Sequence, residues 1–160
     1  MSGDVILRDA VPGDEALIAA FVRKLAEYEK LAHEVRGNAA DFRRVLFGEP
    51  KRAWALVAEL AGQPVGFAVW FYDFSTFLVK PGLYVEDVFV EPEHRGLGVG
   101  RMIFRHLARR ALDEGCERMH WSVLNWNTPA IGFYRSIGAR PLDDWTVQRL
   151  DGNALRNFAG

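Results

Sequence analysis

The chain has one cysteine, Cys116, in 160 residues, so no disulfide framework can form within it. It has no basic excess: 20 Lys and Arg stand against 21 Asp and Glu, a formal net charge of -1. That balance lacks the cationic footprint of a nucleic-acid-binding domain. No apolar run approaches the roughly 20 residues that span a bilayer. The start, Met1-Ser2-Gly3-Asp4, lacks the basic-then-apolar layout of a signal peptide. The expectation is a cytoplasmic protein with no nucleic-acid and no membrane partner. There is no repeat, no low-complexity tract and no domain linker. Gly-Lys-Ser/Thr, His-Glu-x-x-His and Gly-x-Ser-x-Gly are all missing, and His33, His94, His106 and His120 show no metal-ligand spacing. No metal is expected.

What is present is a hydrophobic content of 49%, enough for a real core in one domain spanning residues 1–160. Val5 to Arg8 read as a short strand. Asp14 is placed to cap a helix on which Leu17, Ile18, Phe21, Leu25 and Tyr28 recur at helical spacing. Asn38 caps a second helix, with Asp41 in its first turn and Gly48 at its end. Residues 53–59 and 65–72 flank a turn at 61–64 and predict a hairpin. A loop over 75–82 then leads to a central strand over 83–90, which carries Glu86 and Asp87 side by side. A helix over 100–114 presents Ile103, Leu107, Ala111 and Leu112. A strand over 118–124 follows, then a helix opened by Thr128 as cap and Pro129, and a last strand over 145–150. This order predicts an α/β layered domain with a mixed sheet.

Arg95-Gly96-Leu97-Gly98-Val99-Gly100 lies between a predicted strand and a predicted helix. Alternate glycines allow a tight turn, and the unpaired N–H groups and dipole of the following helix favour an anion such as pyrophosphate. Arg95 and Arg101 are placed to add charge-assisted bonds. The spacing fits neither the Walker loop nor the dinucleotide fingerprint, whose third glycine would fall on Arg101. A plain tight turn before a helix is the competing reading.

Arg95, Gly98 and Gly100 match the motif Arg/Gln-x-x-Gly-x-Gly/Ala, and on it the chain resembles the GNAT N-acetyltransferase superfamily. Leu83-Tyr84-Val85-Glu86-Asp87, Glu91-Pro92-Glu93-His94-Arg95-Gly96, Trp126-Asn127 and Phe133-Tyr134-Arg135-Ser136-Ile137-Gly138-Ala139 are similar to the diamine branch, which includes the spermidine/spermine and thialysine acetyltransferases. Leu25 to Glu29 and the ending Leu155 to Gly160 extend the likeness over nearly the whole chain. The segments 73–80 and 140–147 and the pair Trp121-Ser122 depart from the branch. The resemblance implies a mixed, mostly antiparallel sheet, splayed at its centre, with helices on both faces, and a homodimer. It implies acetyl-CoA as cosubstrate. The backbone of Val88, Phe89 and Val90 would pair with the pantetheine arm like an added strand. Gly96, Leu97, Gly98, Val99, Gly100 and Arg101 would hold the pyrophosphate, and Asn127, Thr128, Pro129 and Ala130 would line the other side.

The implied chemistry is direct attack of a primary amine on a thioester in a ternary complex. The ammonium must lose a proton and the departing thiolate must gain one. Tyr134 is the candidate acid and also touches the cofactor. Glu86 is the candidate base or cation anchor. Strand alternation predicts that Glu86 and Asp87 point to opposite faces, with Asp87 structural. Tyr28, Glu29, His120, Trp121, Ser122 and Asp143 match substrate-contacting positions, Asp143 with Asp144 on a shorter segment. Acids around a narrow cleft suit a small cationic amine: a polyamine, a diamine or a thialysine-like amino acid. The alternatives are a protein or antibiotic acetyltransferase and a non-catalytic acetyl-CoA-binding module. Cys116 beside Gly115 has no orienting group and reads as a bystander rather than a nucleophile.

Overall fold

The computed structural model describes residues 3–160; Met1 and Ser2, part of the start read above, lie outside the described residues. The chain falls into two compact units, one ending at Ser122 and the other Val123–Gly160. The first contains strands β1 (Val5–Asp9), β2 (Trp54–Leu60), β3 (Gln63–Ser75), β4 (Lys80–Val90) and β5 (Met119–His120), with helices α1 (Glu15–Tyr28), α2 (Ala39–Phe47) and α3 (Val99–Asp113). The sheet runs β1-β2-β3-β4-β5. Its first three ladders are antiparallel and the last is parallel. This is the mixed, mostly antiparallel α/β arrangement expected.

Side-chain alternation in the strands builds two cores, one on each face of the sheet. Leu56, Ala68, Trp70, Leu83 and Val85 meet Val99, Ile103, Leu107 and Ala111 of α3 on one face. Ala55, Val57, Phe67, Val69 and Phe89 meet Ile18 and Phe21 of α1 and Leu46 of α2 on the other. The Phe21 ring stacks on Phe67 at 5.2 Å between centroids. Helices therefore cover both faces. Leu112, assigned above to the apolar face of α3, is 71% exposed. It follows Ala111 by a single residue, which turns it about 100° away from the Ile103–Leu107–Ala111 stripe.

The helix starts follow local chemistry, with one departure. Asn38 caps α2 in a full capping box: its side chain accepts from Asp41 N, and the Asp41 carboxylate accepts from Asn38 N. Asp14 occupies the cap position of α1 but makes no side-chain cap bond. Its carboxylate accepts instead from both Arg8 guanidinium nitrogens and from Val11 N. A charged fork outcompetes a helix N–H, and it holds the Asp14 carboxyl below its ordinary range.

The sheet differs from expectation in two places. The loop expected over 75–82 shrinks to residues 76–79, because β3 and β4 continue as a paired arm from Tyr72↔Leu83 out to Ser75↔Lys80. The strand expected over 118–124 is only Met119–His120. In the second unit, helices α4 (Thr128–Ser136) and α5 (Gly152–Ala159) form. Asn127, not Thr128, caps α4, its side chain accepting from Ala130 N at 3.4 Å. The strand expected over 145–150 does not form. Trp145 and Val147 are 79% and 86% exposed, and alternation makes a strand only where a neighbouring ladder accepts its backbone.

Candidate active site

β4 pairs with β3 along its whole length, but with β5 only at Leu83↔Met119 and Tyr84↔His120. From Val85 to Val90 its outer edge has no strand neighbour among the described residues. An unpaired edge in the middle of a sheet presents N–H and C=O groups ready for an extended ligand. This is the stretch that contains Val88, Phe89 and Val90.

A β-bulge sits where this edge begins. Val69 lies opposite Asp87 and Trp70 opposite Val85, leaving Glu86 as the extra residue. The bulge breaks the alternation: Val85 and Val88, three residues apart, both pack on the α3 core. Glu86 and Asp87 between them therefore turn together to the α1 face. This corrects the expectation that they point to opposite faces. Glu29, just past the end of α1, joins them electrostatically. Burial first, then Glu86 and Glu29, raise the Asp87 carboxyl to about 7. Burial and then Glu86 raise that of Glu29. Like charges brought together out of water disfavour ionisation. A carboxyl titrating near neutrality is matched to proton transfer at neutral pH.

The elevation falls on Asp87, which the sequence reading weighed toward a structural role. The signal was present in the order of residues: Leu83, Val85, Val88 and Val90 change parity across the acids.

The glycine loop is open on its outer side. Gly96 and Gly98 take left-handed φ of 82° and 80°, which side-chain-bearing residues adopt rarely. Gly98 is the N-cap of α3 and offers no side-chain cap, and the first turn carries no acid. The positive end of the dipole and its N–H groups thus have no carboxylate of their own helix to satisfy them. A Cβ added at Gly96, Gly98 or Gly100 would meet no atom within 4 Å. Val99 anchors the turn in the core, while Leu97 is 60% exposed. Arg95, though exposed, folds back against β4. Its Nε donates to Val90 O at 3.0 Å, and its guanidinium lies 4.9 Å from the Tyr28 ring centroid and 5.5 Å from that of Phe89. It braces the loop to β4 and to the end of α1.

His120 and Ser122 share a face with Tyr84: His120 Nδ1 is 2.9 Å from Asp73 Oδ2, and the hydroxyls of Tyr84 and Ser122 are 3.0 Å apart. Trp121 turns the other way, packing on the α3 core with its ring edge-on to Phe104, so the structure does not gather it with His120 and Ser122. Asp73 was not among the sequence candidates. Cys116 is buried, and burial, followed by Glu114 and Asp73, raises its thiol, the opposite of what a nucleophile needs. The second unit carries the remaining candidates. Asn127, Thr128, Pro129 and Ala130 open α4, Tyr134 lies on it with its ring 5.6 Å from that of Phe133, and Asp143 is exposed in a turn. Among the described residues there is no group of three or more His, Cys, Asp or Glu able to hold a metal ion, and no helix long and apolar enough to cross a membrane.

The profile of the acetyltransferase (GNAT) family matches residues 19–139. The chain is 36% identical to the thialysine N-epsilon-acetyltransferase of Bos taurus, over 98% of each chain. It is 31% identical to the spermidine/spermine N(1)-acetyltransferase-like protein 1 of Homo sapiens, over 96% of this chain and 23% of that protein. Among solved structures, an integron cassette protein from the mobile metagenome of V. cholerae superposes with a TM-score of 0.80 and 26% identity, covering 99% of this chain and 98% of that one.

Proposed function

The chain belongs to the acetyltransferase (GNAT) family and is an acyltransferase, and from this premise we propose that it moves the acetyl group of acetyl-CoA to a primary amine of a small cationic substrate, a diamine, a polyamine or a thialysine-like amino acid. The observation that carries the reading is the joint placement of Glu86, Asp87 and Glu29 on one face, where β4 loses its β5 partner. Three carboxyls there favour a cation, and one of them titrates where a base must.

The residues fit acetyl-CoA. The edge of β4 at Val88, Phe89 and Val90, which β5 does not pair, would hold the pantetheine arm by β-augmentation, with the Val90 carbonyl already accepting from Arg95 Nε. The turn from Gly96 to Arg101, whose helix carries no acid in its first turn, would hold the pyrophosphate. Asn127 to Ala130, which open α4, match positions that line the cofactor in the family. When bound, the cofactor supplies the acetyl group already activated as a thioester. Glu86, exposed beside Asp87, holds the incoming ammonium, and Asp87 takes its proton, so that a neutral amine attacks directly. Burial, then Glu86 and Glu29, keep the Asp87 carboxyl high enough to accept that proton. By the family's pattern, the Tyr134 hydroxyl would be the acid for the departing thiolate. The reading extends to one catalytic domain over residues 1–160, acting as a homodimer in the cytoplasm.

Thiol release from acetyl-CoA, measured over a panel of diamines, lysine analogues, aminoglycosides and protein N-terminal peptides, tests the acceptor class. Short dicationic amines are expected to give the highest kcat/KM. Preference for a peptide or an aminoglycoside would sink the small-amine reading. Tyr134→Phe is expected to lower kcat about 100-fold while the dissociation constant for CoA stays near its original value. An unaltered kcat would remove the acid assignment.

A further inference from the structure

Three adjacent strands bring Asp73, Gly82 and His120 together. Asp73 of β3 pairs with Gly82 of β4 in the antiparallel register, and His120 of β5 pairs with Tyr84, two residues along. His120 is therefore on the last rung before β4 and β5 part. The face is fixed by its neighbours. Trp70, Tyr72, Leu83, Val85, Met119 and Trp121 all pack on the α3 core. The residues alternating with them, Asp73, Gly82, Tyr84 and His120, face the opposite way. That is the face to which the bulge turns Glu86 and Asp87.

The contact between Asp73 and His120 is built rather than incidental. A Cβ on Gly82 would collide with the Asp73 carboxylate, so the glycine is what lets Asp73 lie across β4 and reach β5. The side chains of His120 and Asp73 keep 30% and 32% of their exposure. A pair that open contributes little to stability. Its chemical consequence is larger. With His120 neutral and its Nδ1–H donated to Asp73 Oδ2, Nε2 is left as an acceptor backed by a carboxylate. Such a group accepts a hydrogen bond from an ammonium.

We propose that Asp73, Gly82 and His120 form a second cation subsite, which takes the non-reacting ammonium of an acceptor with two amino groups. His120 is the contacting residue, and Asp73 is the positioning residue that also supplies the charge. The subsite rests on the amine-acetylation reading given above and extends it. Two residues of strand separate the Tyr84–His120 rung from Glu86, about 7 Å along β4, the reach of a short alkyl diamine. With β4 committed to the cofactor from Val88 onward, the surface toward Tyr84 and Gly82 is where the acceptor's far end lies. The subsite therefore selects acceptors by length and by a second positive charge.

The test compares 1,4-diaminobutane with n-pentylamine, equal in heavy-atom length and differing in the second charge. Asp73→Asn is expected to lower the ratio of kcat/KM for the diamine over the monoamine about tenfold, with the loss carried by KM. His120→Gln is expected to lower the ratio in the same direction by less. Gly82→Ala, which displaces the carboxylate but keeps both partners, is expected to reproduce Asp73→Asn. If it does not fold, as judged by thermal unfolding, the Asp73 and His120 variants decide. An unchanged ratio in Asp73→Asn, with the wild-type enzyme active on both amines, overturns the subsite alone. A wild-type enzyme inactive on both overturns the amine-acceptor reading and the subsite with it.

Discussion

On the α3 side of β4, Leu83, Val85, Val88 and Val90 meet Val99, Ile103 and Leu107 in an apolar layer. On the α1 side the same strand offers Tyr84, Glu86 and Asp87, with Phe89 alone returning to the core. One backbone thus serves packing on one face and chemistry on the other. The apolar face lets the strand carry carboxyls without losing its place in the sheet. Fixed in that way, the carboxyls can hold unfavourable protonation states that a free surface would relax.

The comparison predicts that the two faces fail differently. Leu107→Ala, on the packing side, is expected to destabilise the fold by about 3 kcal/mol in denaturant titrations, while the rate per folded molecule stays within about twofold. A collapse of the rate in still-folded protein would show that the faces are not separable. Asp87→Asn, on the chemical side, is expected to lower kcat about 100-fold and to flatten the pH–rate profile, whose wild-type rise should centre near pH 7. The same substitution has a sign in stability. The folded-state carboxyl titrates at about 7, above its ordinary value of 3.8, so between those values the native state binds more protons than the unfolded one. Wild-type stability should fall as pH rises through that window. Asp87→Asn should remove that slope, so the variant becomes the more stable protein at pH 8 and gains nothing at pH 4. A variant less stable at pH 8 would refute the burial argument. The smallest expected effect lies away from both faces: Asn38→Ala, removing the α2 capping box, should cost about 1 kcal/mol with no change in kcat or KM.

Much of this was legible in the residues. The capping box at Asn38, the hairpin across Ala61 and Gly62, and the glycine turn before α3 each rest on short-range chemistry that sequence states directly. The misreadings share a cause: they concern which backbone pairs with which. Trp145 to Leu150 carry strand-like composition, yet composition does not supply a partner ladder. Thr128 and Asn127 are both good caps, and only the backbone geometry at the turn chooses between them. The face of Asp87 was misjudged because alternation assumes an unbroken ladder. Asp73 was read only as the first residue of a segment that departs from the branch, because its partner lies 47 residues away on a strand it does not adjoin.

The extra residue at Glu86 also separates β4 into two independently tuned lengths. Beyond it, the orientation of every side chain from Asp87 to Val90 is counted from the bulge, not from the hairpin tip at 76–79. Lengthening or shortening the β3–β4 arm by matched pairs of residues would leave the reacting end untouched. Removing the single residue at 86 would close the bulge into a regular ladder, with Trp70↔Val85 and Val69↔Asp87 as successive rungs, so Asp87 would keep its face and lose only its neighbouring carboxylate. Variation in acceptor preference thus has a place to accumulate, in the arm, where insertions cost the chemistry nothing.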